Sequence, residues 1–457
     1  MNNLYLPIPQ LIRNHDTTSL PKLLNQFSGF EIADILTHHN EEEQLFAFSL
    51  LAPKIAAETF NYLTLKAQKQ ILHASSPSQI ANMLLEMPPD DRTALLEELP
   101  RSTADEYLQL LPPEERDVAL TLLGYPEDSM GHLMTTDYIA VKLDWTIEKV
   151  LDHIRAYGHD SETINVIYIV DDNNRLIDDI NLKEFLFVPK DYKVEQISDK
   201  KFVALSTFDS SEKAINVFKE YDRVALPVID EKGIMQGIVT IDDILRLASE
   251  MNTEDFQKVG GTEALDAPYL EIPFLELMKK RAHWLILLFI GEMFTATAMS
   301  FFEEEISKAV VLALFLPLII SSGGNAGSQS TTLTIRAMAL GEVKLKDWFS
   351  VLKRELFSGI FLGCVLGTVG FFRVTLWSRF SNIYGEHWLL LAITILLSLA
   401  GIVLWGSLIG CMLPLLLRVA RFDPAVASAP LVATLVDVTG IVIYFLIAME
   451  VLKGTLL

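Results

Sequence analysis

The sequence predicts a multidomain membrane protein: an all-α N-terminal superhelix, a pair of α+β repeats, a linking helix and a five-span α-helical transmembrane domain. Three observations carry this. Residues 283–457 hold 11 basic and 11 acidic residues and are neutral, so the whole net charge of −22 lies in residues 1–282. The neutral part contains five long apolar runs. The acidic part contains two sets of internal repeats, at offsets of 24 and 59 residues. Such a composition excludes a disordered chain, and an acidic surface repels the phosphates of nucleic acid. Two cysteines far apart in apolar runs, Cys364 and Cys411, exclude a disulfide framework and read as packing residues. The first sixteen residues lack a basic region followed by an apolar core, so no cleaved secretory signal is expected.

Residues 1–130 alternate amphipathic stretches with short proline-containing breaks. MPPDDRTALLEEL at 87–99 matches LPPEERDVALTLL at 111–123. Proline followed by acids and then an apolar stripe is a helix start. Recurring short helices predict a small superhelix.

In 131–248, VIYIVDDNNRLIDDINLKEFL (166–186) aligns without a gap on ALPVIDEKGIMQGIVTIDDIL (225–245). Each copy reads strand, acidic turn, strand, helix, with helices starting near Asn181 and Thr240. Two such copies, 131–190 and 191–248, resemble a tandem pair of CBS domains, a ligand-sensing module. Thr240 and Asp243 have the Thr-x-x-Asp spacing with which many CBS domains hold a nucleotide ribose, so ATP or another adenine nucleotide is a candidate ligand. The same spacing also suits a helix cap. The first copy departs: Asp178 stands where the second has Gly237, and Asn181 and Glu184 replace the Thr and Asp. Residues 249–282 form the linking segment, its helix closed by Gly260 and Gly261.

A helix crosses a bilayer in about 20 residues. The five candidate spans are 283–302, 309–335, 356–377, 388–417 and 430–449. Ten Lys and Arg flank them on one side and three on the other, which predicts that the acidic half is cytoplasmic and the C-terminus outside. In the second span, three glycines and Asn325 within five residues predict a broken helix lining a polar path; close helix packing is the alternative. Asp437 lies within the last span, where a charge costs at least ~2.5–3.5 kcal/mol. With no basic partner in its span, two copies facing each other across a two-fold axis could hold a cation. Glu292 is a second intramembrane acid. Few carboxylates and no soft-ligand set suit hydrated Mg²⁺, which keeps several waters. No Walker A loop and no nucleophile–base pair are present, so neither an ATP-driven pump nor an enzyme is expected. An open path for a divalent cation needs a brake, and acids at domain interfaces that repel until Mg²⁺ bridges them would supply one.

The whole arrangement resembles the MgtE family of magnesium channels and transporters. The most specific segments are 317–329 and 423–440. The resemblance implies a homodimer in the cytoplasmic (inner) membrane that is Mg²⁺-selective and Mg²⁺-gated. Asp437 would be the pore acid, with Asn325, Ala433 and Thr434 near it. The helix around 242–259 would be the plug. Sensor acids would be Glu212, Asp222, Asp243, Glu254 and Asp255, with Asp90 and Asp91 from the N-terminal domain. Ser210, Arg246 and Met251 stand where relatives can carry acids, and Ala429 where one can have Asn, which implies fewer sensor ions or a weaker brake. Two other readings use the same architecture: transport of Co²⁺ or Mn²⁺, and a membrane-anchored CBS nucleotide sensor that conducts nothing.

Overall fold

The computed structural model describes residues 7–265, 269–270, 272–380 and 382–457. The chain divides into two compact units, Met1–Ser249 and Glu250–Leu457.

Among the described residues, the first unit opens with ten short helices from Ile8–Arg13 to Pro113–Leu123. Sequence signals start them: Ser28, Asn40, Thr64 and Ser76 accept from backbone N–H groups in the first turn, and Pro53, Pro77, Pro89 and Pro113 occupy the first helical position. Helix Gly29–Thr37 packs on Pro53–Asn61, that on Pro77–Glu86, and that on Arg101–Leu110. Stacking every second helix makes a superhelix around one apolar core that includes Ile32, Leu36, Phe60 and Leu84. Buried Arg92 ties two turns of it, donating to the Leu84 carbonyl and, at 2.7 Å, to Glu115.

Two three-stranded sheets follow. Strands β1 (Ala140–Val141), β2 (Val166–Val170) and β3 (Leu176–Asn181) form the first, and β4 (Leu205–Ser206), β5 (Ala225–Ile229) and β6 (Met235–Thr240) the second. In each, a short parallel edge strand precedes an antiparallel hairpin. The hairpins, offset by 59 residues in sequence, occupy equivalent places and pack their inner faces together through Tyr168, Val170, Met235 and Ile238. The segment before β1 crosses over: Met130 and Met134 join the core of the second repeat, and Thr135 pairs with Ile238 of β6. The extra carboxylates of the first copy are used internally. Asp178 accepts from Ser198 Oγ and the Lys200 amide, and Asp179 pairs with Arg223 at 3.1 Å.

Among the described residues, the second unit contains five helices long and apolar enough to cross a membrane: Phe274–Phe301, Val310–Ala339, Leu345–Ser378, Trp388–Val419 and Ala429–Val451. The second span packs on the fourth and fifth, the third on the fourth, and the first on the fifth. Gly359, Gly363 and Gly367 of the third span lie against Leu404, Ala400 and Leu396, a one-glycine-per-turn stripe that lets backbones approach.

One expectation is overturned. The second span is not broken: helix Leu316–Ala339 runs without interruption through Gly323-Gly324-Asn325-Ala326-Gly327. The glycines serve packing. A Cβ at Gly323 would come within 2.8 Å of Val436 Cγ1, and one at Gly327 within 2.8 Å of Val432 Cγ1 and 3.1 Å of the Gly406 carbonyl. Neighbouring helices supply the stability that local propensity withholds.

Candidate functional site

Two clusters hold most of the residues the sequence singles out, one in each unit.

In the second unit, Asp437 sits two turns into the last span. Its carboxylate makes no hydrogen bond or ion pair among the described residues. The second span meets it with glycine backbone: a Cβ at Gly324 would lie 3.4 Å from Asp437 Oδ1 and 3.4 Å from Ala433 Cβ. Asp437, Ala433 and Gly324 are therefore together. Asn325 is exposed, its amide 3.5 Å from Ser321 Oγ. Thr434 turns its hydroxyl back to the Pro430 carbonyl, and a Cβ at Gly291 of the first span would lie 2.9 Å from its methyl. Glu292 follows Gly291 on the first span.

The linking helix, Ile241–Val259, ends at the start of the last span. Lys258 Nζ bridges Glu254 of its own helix and Asp423 of the preceding loop, at 2.7 Å each. These two carboxylates hold its pKa above the ordinary lysine value despite partial burial, so it stays charged. Gly261 follows with φ +74°, where a Cβ would meet Trp284 Nε1 at 2.8 Å and Pro430 Cγ at 3.1 Å. Only glycine fits this left-handed close approach. Asp255 lies on the same helix.

In the first unit, Asp90 and Asp91 open helix Pro89–Glu97, and Asp242 and Asp243 open the linking helix. The fold brings these two N-termini together. Burial, then the carboxylates of Asp91, Asp243 and Glu162, push Asp90 well above the usual carboxylate range. Asp90 Oδ1 is buried without a hydrogen-bond partner among the described residues. Asp91 rises to about 6 through burial and through Asp243 and Asp242, against the lowering field of Arg246. Burial, together with the Asp242 carboxylate, raises Asp243, while the Thr240 hydrogen bond and Arg246 lower it, and burial prevails. Glu162, exposed as a residue, has its carboxyl raised to about 7 through desolvation and the charges of Asp243, Asp242, Asp91 and Asp137. Sequence reading missed Glu162, which no spacing connects to residues 90 or 243. Among the described residues no three His, Cys, Asp or Glu side chains form a finished metal cage. The cluster is a set of repelling acids with one orphaned oxygen, which fits an ion that keeps most of its water.

Glu212 and Asp222 are not brought to each other: they lie at opposite ends of helix Ser211–Tyr221, about 15 Å apart at 1.5 Å per residue. Thr240 donates its hydroxyl to Asp243 at 2.7 Å, so the two nucleotide candidates are bonded to each other.

Comparison with known proteins agrees with this architecture. The MgtE profile, described as a divalent cation transporter, matches residues 316–447, the MgtE intracellular N domain matches 29–128, and CBS domains match 130–191 and 194–250. The magnesium transporter MgtE of Thermus thermophilus is 33% identical over 99% of both chains. That of Enterococcus faecalis is 29% identical over 96% of this chain and 95% of its own. Two crystal structures match the first half. One is the soluble part of a magnesium transporter, with 26% identity and a TM-score of 0.52 over 54% of this chain and 98% of that one. The other is the cytosolic domain of the Mg²⁺ channel MgtE in complex with ATP, with 29% identity and a TM-score of 0.51 over 53% and 99%. With its N-terminal domain, CBS pair and five apolar helices matched along nearly its whole length, this chain belongs to the MgtE family of magnesium transporters.

Proposed function

We propose that the protein is a Mg²⁺-gated, channel-like Mg²⁺ transporter whose ion passes Asp437. The observation that carries this is the unpaired Asp437 carboxylate set against the glycine backbone of the second span. A carboxylate facing hydrocarbon is costly and marks an ion path. Asp437 is only half-buried and Asn325 is exposed on the isolated chain, so this face needs a cover. A second copy across a two-fold axis gives a homodimer with both Asp437 side chains on a central, hydrated path. Asn325, Ala433 and Thr434 border it and leave room for the retained waters.

The acidic half is the brake. Asp90, Asp91 and Asp243 repel one another at neutral pH, and Mg²⁺ between them relieves the repulsion. Glu212, Asp222, Glu254 and Asp255 extend the acidic surface that senses the ion. The linking helix, tied to Asp423 beside the last span, then closes the path. An inside-negative potential drives a doubly charged ion with about 4.6 kcal/mol per 100 mV, twice the single-charge figure, so the path needs no pump. The acidic half faces the cytoplasm, in the inner membrane. An adenine nucleotide binds the CBS pair at Thr240 and Asp243, an assignment supported by the ATP complex of the similar cytosolic domain and requiring their mutual bond to open.

The test is Mg²⁺ flux into liposomes holding the full chain, with internal Mg²⁺ near zero or several millimolar. Flux that disappears in Asp437→Ala and falls at high internal Mg²⁺ is expected. Flux unaffected by Asp437→Ala overturns the path. Flux of Co²⁺ or Mn²⁺ without Mg²⁺ reassigns the ion.

A further inference from the structure

The acid cluster of the first unit contains its own cation. Arg246 lies one turn after Asp243 on the linking helix. Its Nη2 is 2.7 Å from Asp243 Oδ1 and 3.7 Å from Asp91 Oδ1. Those carboxylates belong to different domains: Asp91 opens a helix of the N-terminal superhelix, and Asp243 the helix after β6. Both carboxylates are largely sheltered, with side chains 20% and 15% exposed, while the guanidinium end reaches them from a half-exposed position. A planar fork with fixed N–H directions is suited to bridging two carboxylates, where a water-clad divalent ion would need room for its shell.

We propose that Arg246 supplies in the chain itself the positive charge that holds helix Pro89–Glu97 to the second CBS repeat, so this contact persists without a divalent ion. The proposal deepens the sensing function described above and rests on it. It makes Arg246 the residue that sets how much the first unit depends on Mg²⁺. Two repelling carboxylates already share a guanidinium. The acids left for an ion are then the orphaned Asp90 oxygen and Glu162.

Hydrogen–deuterium exchange of the full chain in nanodiscs reads this directly, in EDTA and in millimolar Mg²⁺. In the wild type, peptides covering residues 89–97 and the start of the linking helix are expected to be protected already in EDTA, with a further, smaller gain on adding Mg²⁺. In Arg246→Gln, exchange of the same peptides in EDTA rises about tenfold, the scale of a charge-assisted contact discounted for exposure. Millimolar Mg²⁺ restores it. Arg246→Lys keeps most of the wild-type protection, which separates loss of charge from loss of packing. A wild type protected only in Mg²⁺, or an Arg246→Gln variant indistinguishable from it in EDTA, overturns the proposal. If Arg246→Gln exchanges fast and Mg²⁺ fails to slow it, the arginine bridge stands and the reading of this cluster as a Mg²⁺ site falls.

Discussion

Glu162→Gln offers a direct measure of what desolvation and then repulsion cost a charged carboxylate in the acid cluster. The substitution keeps shape and removes only the charge. The Glu162 carboxyl moves from an ordinary value of 4.5 to about 7 on folding. At 1.36 kcal/mol per pH unit, a difference of about 2.5 sets a ceiling of about 3.4 kcal/mol. Glu162 is exposed as a residue, and water screens its neighbours' charges, so about 1 kcal/mol is the expected gain. The sign follows from linkage. A carboxyl whose folded pKa is raised binds more protons folded than unfolded between about pH 4.5 and 7, so the wild type loses stability as pH rises through that window. The variant does not titrate. Urea unfolding of residues 1–249 at pH 7.5 and pH 4.5 is the assay. Glu162→Gln is expected to raise the midpoint at pH 7.5 and to match the wild type at pH 4.5. Millimolar Mg²⁺ at pH 7.5 is expected to stabilise the wild type more than the variant, because ion and substitution relieve the same repulsion. Equal gains at both pH values, or none at pH 7.5, refute the reasoning.

Lys258→Met and Asp423→Asn are expected to couple by about 0.5–1 kcal/mol in a double-mutant cycle of stability in detergent, the value of a partly exposed ion pair, and to couple less at high salt. Gly327→Val places its branched side chain against Val432 and the Gly406 carbonyl, and overpacking of this kind costs about 1–3 kcal/mol, visible as a lowered melting temperature and reduced membrane yield. Glu115→Ala leaves buried Arg92 without its carboxylate, and the first unit is expected to lose about 3 kcal/mol in urea unfolding, whereas Arg92→Met loses less because no charge is stranded.

The sequence by itself determined the order of parts. Charge partition, a hydrophobic run of membrane length five times over, and two ungapped repeats are local or periodic signals. They survive folding because each element forms from neighbours in the chain. Asp437 was legible for the same reason: a lone acid in an apolar run is anomalous whatever packs around it. Tertiary structure decided the rest. Gly323, Gly324 and Gly327 look like a broken helix in one dimension, and only the approach of Val432, Val436 and Gly406 makes them a continuous one. The acid cluster joins residues 90 and 91, 162, and 242 and 243, through the contact of two helix N-termini and a loop, and no spacing encodes that meeting. Arg246 appeared in the sequence as a missing acid. Its role as a bridge emerged only when Asp91, 155 residues earlier, arrived within reach, because a charge acquires its meaning from the charges that folding places beside it.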